Sequence, residues 1–259
     1  MRKSFNFNQR LGLLVVIAGL MIIAVFSLPP IPQDAAYHQF ADKNSYYGVS
    51  NFWNVLSNLP FLLVGLLGLW DIVGGRLAIL QEFKAGYLTF FIGVALVGPG
   101  SVYYHLTPDN ASLLWDRLPM TIAFMALFAV VIAEHLSVPA AQRLLWPMVL
   151  IGILSVFFWY FTELKGHGDL RPYVVVQFVP ILVMPLILLF FQPTFSGSAY
   201  LWAMIGAYAG AKLAESLDEP IFRLLHVMSG HSIKHLLAAL GAYCFWLGLR
   251  RRKKLASDG

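Results

Sequence analysis

Charge is what this sequence has least of. Only 12% of its 259 residues are Asp, Glu, Lys or Arg, against about 25% in an ordinary soluble domain. So few charges cannot coat the surface of a water-soluble fold of this size. That excludes a cytosolic globular enzyme, a nucleic-acid-binding protein and a disordered chain. Cysteine is almost missing as well: Cys244 stands alone, so there is no internal disulfide and no hint of redox compartment. Strand alternation of the barrel type is also lacking. What is plentiful is apolar residue, 59% of the chain, with a mean hydropathy of +0.70. Lipid offers no partner for backbone polar groups, so such a chain crosses the membrane as helices.

A spanning helix takes about 20 apolar residues. Uncharged runs give spans at about 11–28, 52–70, 86–105, 114–134, 144–162, 173–191, 199–217 and 231–249. Pro29, Pro30 and Pro32 end the first, and Asp71 with Gly74 and Gly75 ends the second. The uncharged stretch from Pro172 to Ala211 is too long for one helix, and Gln192-Pro193 through Gly197-Ser198 reads as its turn. The expected architecture is one all-α transmembrane domain over residues 1–259 with eight spans. The first run also follows the basic residues of a signal peptide, Arg2, Lys3 and Arg10. Its length, and the lack of a small-residue cleavage site before Pro29, favour a retained helix.

Eight spans put both termini on one side. That side holds eleven of the 18 basic residues: Arg2, Lys3, Arg10, Arg76, Lys84, Arg143 and the five at 250–254. The positive-inside bias makes the termini cytoplasmic. Ionisable residues near the membrane collect on the opposite face. His105 ends the third span, and Asp116 and Arg117 open the fourth. Glu163 ends the fifth, followed by His167, Asp169 and Arg171 in a loop. Lys212, Glu215, Asp218 and Glu219 end the seventh, and His231 and His235 open the eighth. A charge within lipid costs about 3 kcal/mol or more, so such groups turn inward and find partners. Six segments supplying them at one depth suggest a shared polar pocket. The alternative is a solvated belt of helix ends.

His231 and His235 are four residues apart and share a helix face, a spacing that suits two imidazoles on one metal. Among seven histidines, one such pair is weak evidence by itself. A third ligand strengthens it, because catalytic zinc commonly takes three protein ligands and leaves one position open. His105 lies at the same depth. His38 and His167, in loops, are competitors, and His135 is on the wrong side. Ser101 sits one turn deeper than His105 on the same face, where it can bond back to its own helix or face the pocket. Gly98-Pro99-Gly100 is expected to loosen the helix there. Asp116 opens the next helix, where it can cap the terminus or stand beside His105.

These residues, taken together, resemble the alkaline ceramidases, within a wider superfamily of adiponectin-receptor-type and hemolysin III-like membrane proteins. Four places carry the resemblance in order: Phe52-Trp53-Asn54-Val55-Leu56-Ser57-Asn58, Ser101 with His105, Asp116, and His231 with His235. It covers about residues 52–250. The resemblance implies a seven-helix bundle, here with one extra N-terminal transmembrane helix. It implies zinc held by His105, His231 and His235, water activated by Asp116, and an oxyanion assisted by Ser101. The implied reaction is hydrolysis of the amide bond of a ceramide-like N-acyl lipid to a fatty acid and a sphingoid base, with the active site toward the non-cytoplasmic face.

The eukaryotic relatives carry an acid-rich, calcium-binding segment before the first core helix. Here residues 41–51 offer one carboxylate, Asp42, with Asn44 and Asn51. Calcium takes six to eight oxygens, so this is a poor cage. Gly166-His167-Gly168-Asp169-Leu170-Arg171 reads as a tight turn with an exposed salt bridge. Other functions compatible with the residues are a non-catalytic zinc-containing receptor, a hydrolase of a different acyl lipid, a proton-coupled carrier using Lys212 and Glu215, and a bis-histidine haem protein. Internal repeats and paired broken helices, which carriers show, are lacking.

Overall fold

A computed structural model describes residues 5–256. Arg2 and Lys3, of the basic N-terminal flank, lie outside the described residues. The fold is all-α. Its helices are α1 Phe7–Ser27, α2 Phe52–Leu56, α3 Leu59–Val73, α4 Lys84–Leu106, α5 Asn110–His135, α6 Val138–Leu164, α7 Arg171–Phe190, α8 Ser198–Ser216, α9 Asp218–Leu225 and α10 Gly230–Arg251. Seven helical segments are long and apolar enough to cross a membrane: α1, the α2–α3 pair, α4, α5, α6, α7 and α10. The eighth expected span, α8, is not among these seven; it carries Lys212 and Glu215 and packs along α10.

α1 starts at a reciprocal cap: the Gln9 backbone donates to Asn6, and the Asn6 backbone donates to the Gln9 side chain. The helix is apolar all round, with Val15, Val16, Leu20 and Ile23 each more than half exposed, and it lies against α7. That is the profile of a helix whose outer face meets lipid. The buried core draws on α3 to α8 and α10, with Phe91, Ala126, Ala129 and Val130 fully buried.

Three local expectations change. The second span is two helices, not one, broken at Ser57 and Asn58. Pro60, in the first turn of α3, has no N–H to give the Leu56 carbonyl, and at the break the Asn58 side-chain amide donates to the Asn54 carbonyl at 2.6 Å. Asp116 does not open α5. Asp109 caps it, accepting from the Ser112 backbone at 2.7 Å, so Asp116 lies inside the helix and is free of capping. α4 also runs unbroken through Pro99. The flanking glycines serve close approach instead: a side chain on Gly100 would strike the Trp115 carbonyl of α5, and one on Gly98 would press on Leu62 of α3.

The two ends of the bundle differ. At one end, Glu134 takes both guanidinium nitrogens of Arg252, at 2.6 and 2.8 Å, and a hydrogen bond from Tyr87. Asp71 pairs there with Arg76 at 3.1 Å and accepts from Trp246 at 3.2 Å. Arg10 reaches the Phe190 carbonyl at 2.7 Å at the same end. The other end holds the C-termini of α4, α6 and α8 and the N-termini of α5, α7 and α10, and it is where the histidines meet.

Candidate metal centre and lipid cavity

His105 occupies the last turn of α4, and His231 and His235 occupy the first two turns of α10. All three are buried. Their ring centroids are 5.0 Å apart for His105 and His231, and 4.9 Å for each of the other two pairs. One ring nitrogen from each lies within 4.8 Å of the others.

His105 is fully buried, and neither of its ring nitrogens has a hydrogen-bond partner. An unpartnered buried polar group costs about 1–3 kcal/mol, and an ion shared with the two neighbouring imidazoles would relieve it. His235 is oriented from behind: its Nδ1 lies 2.8 Å from the Ser57 hydroxyl, leaving Nε2 for the cluster, as metal-binding histidines are commonly held. The α10 N-terminus is fixed by Asp218, which accepts from the His231 backbone at 2.6 Å. Gly230 lets α10 start there, because a side chain would strike the Ala214 carbonyl. Three neutral nitrogens with no carboxylate among them suit a transition-metal ion rather than a hard, oxygen-seeking one.

Phe40, from the linker after α1, covers the cluster. Its ring lies 4.7 Å from both His105 and His231. On the other side the cluster meets a cavity of about 300 Å³, whose polar end includes Ser101, Asp116, Lys234, Glu215 and His235. Ser101 of α4 and Asp116 of α5 both line it, where the two helices approach closely at Gly100 and Trp115. Beyond them the lining is apolar, with Phe90, Val94, Phe124, Ile181 and Met204.

The remaining polar residues fall into separate roles. Lys212 and Lys234 both pair with Glu215, at 2.7 and 2.8 Å, and Lys234 also donates to His231 at 3.1 Å. Glu163 lies away from the cavity and accepts from the Gln33 backbone at 3.0 Å. His38 joins Tyr104 and Asn110, each at 3.0 Å, and His167 is exposed, so neither competing histidine joins the cluster. The turn at 166–171 contains its expected ion pair, Asp169 with Arg171 at 2.7 Å, but Asp169 is buried rather than exposed. One oxygen of Asp42 accepts from Asn44 at 2.9 Å. Among the described residues Asp42 joins no group of three His, Cys, Asp or Glu side chains close enough to share an ion, and its second oxygen is buried without a hydrogen-bond partner.

Sequence reasoning missed Ser57, Phe40 and Lys234. Ser57 lay within the Phe52–Asn58 motif, and Lys234 three residues after His231 on the same helix face; Phe40 carried no signal.

A sequence profile described as Ceramidase matches residues 43–205. That is more than half of the chain, and the protein belongs to the ceramidase family. The match includes Ser101, His105 and Asp116 and stops before His231 and His235; folding brings those two to the site. Among curated proteins, none matches this chain.

Proposed function

We propose that this protein is an intramembrane, zinc-dependent amidohydrolase that cleaves ceramide-like N-acyl lipids to a fatty acid and a sphingoid base. The observation that carries this reading is the unpartnered, fully buried His105 facing two further histidines at the polar end of an apolar cavity. Family membership supports the amide as the bond cleaved.

Zinc held by His105, His231 and His235 would supply a Lewis acid that polarises the carbonyl and acidifies water. The chain's own residues do the rest. Asp116 takes a proton from the attacking water as its oxygen bonds to the amide carbon. The Ser101 hydroxyl donates to the carbonyl oxygen as negative charge builds there. Asp116 then delivers its proton to the nitrogen as the C–N bond breaks. The apolar lining holds the lipid chains and keeps bulk water from the carboxylate.

The eight-span arrangement, both termini cytoplasmic and the histidines toward the other face, accords with the basic residues gathered at the opposite end of the bundle. The test is incubation of purified protein with a panel of N-acyl sphingoid lipids, with and without a zinc chelator. Chelator-sensitive release of fatty acid and sphingoid base is expected. Stoichiometric metal without product release from any N-acyl lipid would indicate a receptor on the same scaffold.

A further inference from the structure

Arg117 is a buried cation that the proposed chemistry leaves unused. It is 5% exposed and lines the cavity one residue beyond Asp116. Its Nη2 donates to the Gln33 side chain at 2.7 Å, while its Nη1 is buried with no hydrogen-bond partner. Three aromatic faces surround the guanidinium: Trp159 at 4.2 Å, Tyr173 at 4.8 Å and Tyr37 at 5.6 Å. Among the described residues no carboxylate lies within 4.0 Å of it. The other shielded bases are paired: Lys234 with Glu215, Arg171 with Asp169 and Arg252 with Glu134.

Burying a charge without a counterion is costly, and aromatic faces and one amide oxygen offset only part of it. The ordinary partner of a pre-oriented guanidinium fork is an oxyanion. The charges around the cavity point the same way. Arg117, Lys212 and Lys234 face only Asp116 and Glu215, so the lining carries one positive charge in excess when both carboxyls are ionised.

We propose that Arg117 docks an anionic group at the polar end of the substrate, so that the preferred N-acyl lipid carries a phosphate, sulfonate or carboxylate where a simple ceramide has a hydroxyl. This rests on the reading that the cavity holds the substrate. The tethered anion positions the lipid beside Asp116, and Trp159 and Tyr173 hold the guanidinium in place between turnovers.

The test uses the full chain in detergent and two matched N-acyl sphingoid lipids, one ending in a hydroxyl and one in a phosphate. The parent is expected to show a KM for the phosphate lipid lower on the order of tenfold to a hundredfold, the range of one charge-assisted hydrogen bond. Arg117→Met loses that preference, its KM rising far more for the phosphate lipid than for the hydroxyl lipid, and Arg117→Lys keeps part of it. Equal KM values in the parent, or an equal loss on both lipids in both variants, would overturn the proposal. Direct binding of the two single-chain probes, measured by calorimetry, supplies a readout without turnover: hexadecyl phosphate is expected to bind at least tenfold tighter than hexadecanol, and Arg117→Met to abolish the difference. If hexadecanoate matched hexadecyl phosphate in this assay while the two N-acyl lipids showed equal KM, Arg117 would hold the product's carboxylate and the proposal would fall. If neither N-acyl lipid is cleaved but Arg117-dependent binding of hexadecyl phosphate persists, the hydrolase reading fails and the anion site stands. Cleavage of both lipids without preference has the reverse meaning.

Discussion

Two side chains behind the three histidines carry distinct, separable tasks. Ser57 fixes the His235 ring by its 2.8 Å contact to Nδ1. Partners of this kind are worth about tenfold to a hundredfold in metal affinity, so Ser57→Ala is expected to weaken zinc binding by that amount in a competitive chelator titration. Asp116 is not one of the three clustered ligands, and Asp116→Asn is expected to retain the metal while lowering kcat by about a hundredfold or more. Undiminished turnover would remove it as the base. The histidines were legible in the sequence because their spacing and membrane depth are local properties. The setting of Arg117 was not, because Gln33 and Tyr37, Trp159, and Tyr173 come from three separate segments, the linker after α1, α6 and α7, that only folding brings together.

Helix termini, rather than helix interiors, place the site. α10 begins where Gly230 touches the Ala214 carbonyl. Gly230→Ala forces that contact apart, and overpacking of this kind costs about 1–3 kcal/mol. A lower melting temperature and metal content below one ion per chain are expected together. The turn before α7 offers a second check. Arg171 binds Asp169 at 2.7 Å and the Leu28 carbonyl at 2.7 Å, fastening the end of α1 to this turn. The Arg171 guanidinium holds the Asp169 carboxyl below the usual carboxylate range. A carboxyl with a lowered folded pKa stabilises the fold above its unfolded pKa of about 4, and that contribution is lost as the pH falls through the folded value. Asp169→Asn is therefore expected to lower the melting temperature equally from neutrality down to about pH 5, with the difference fading only below about pH 4. The spans were readable at this scale from uncharged runs. The break at Ser57 and Asn58 was not, because the run stays uncharged across it and only Pro60 marks the place.

The whole molecule separates anchoring from chemistry. Glu134, Arg252 and Tyr87 lock one end through a buried ion pair, and the histidines and Asp116 occupy the other. Removing one partner of a buried pair costs about 3–5 kcal/mol, so Glu134→Ala is expected to lower thermal stability sharply while the metal content stays at one ion per chain. The sequence indicated the lopsided distribution of polar groups but not this lock, since Glu134 and Arg252 are far apart in the chain and each reads alone as an ordinary helix-end charge. The claim on which the function depends is that three imidazoles from two helices share one ion. Elemental analysis of the purified full-length protein tests it most directly. One zinc per chain is expected, falling to a small fraction in His105→Ala and equally in His231→Ala. Metal-free parent protein, or zinc kept at full stoichiometry in His105→Ala, would contradict it.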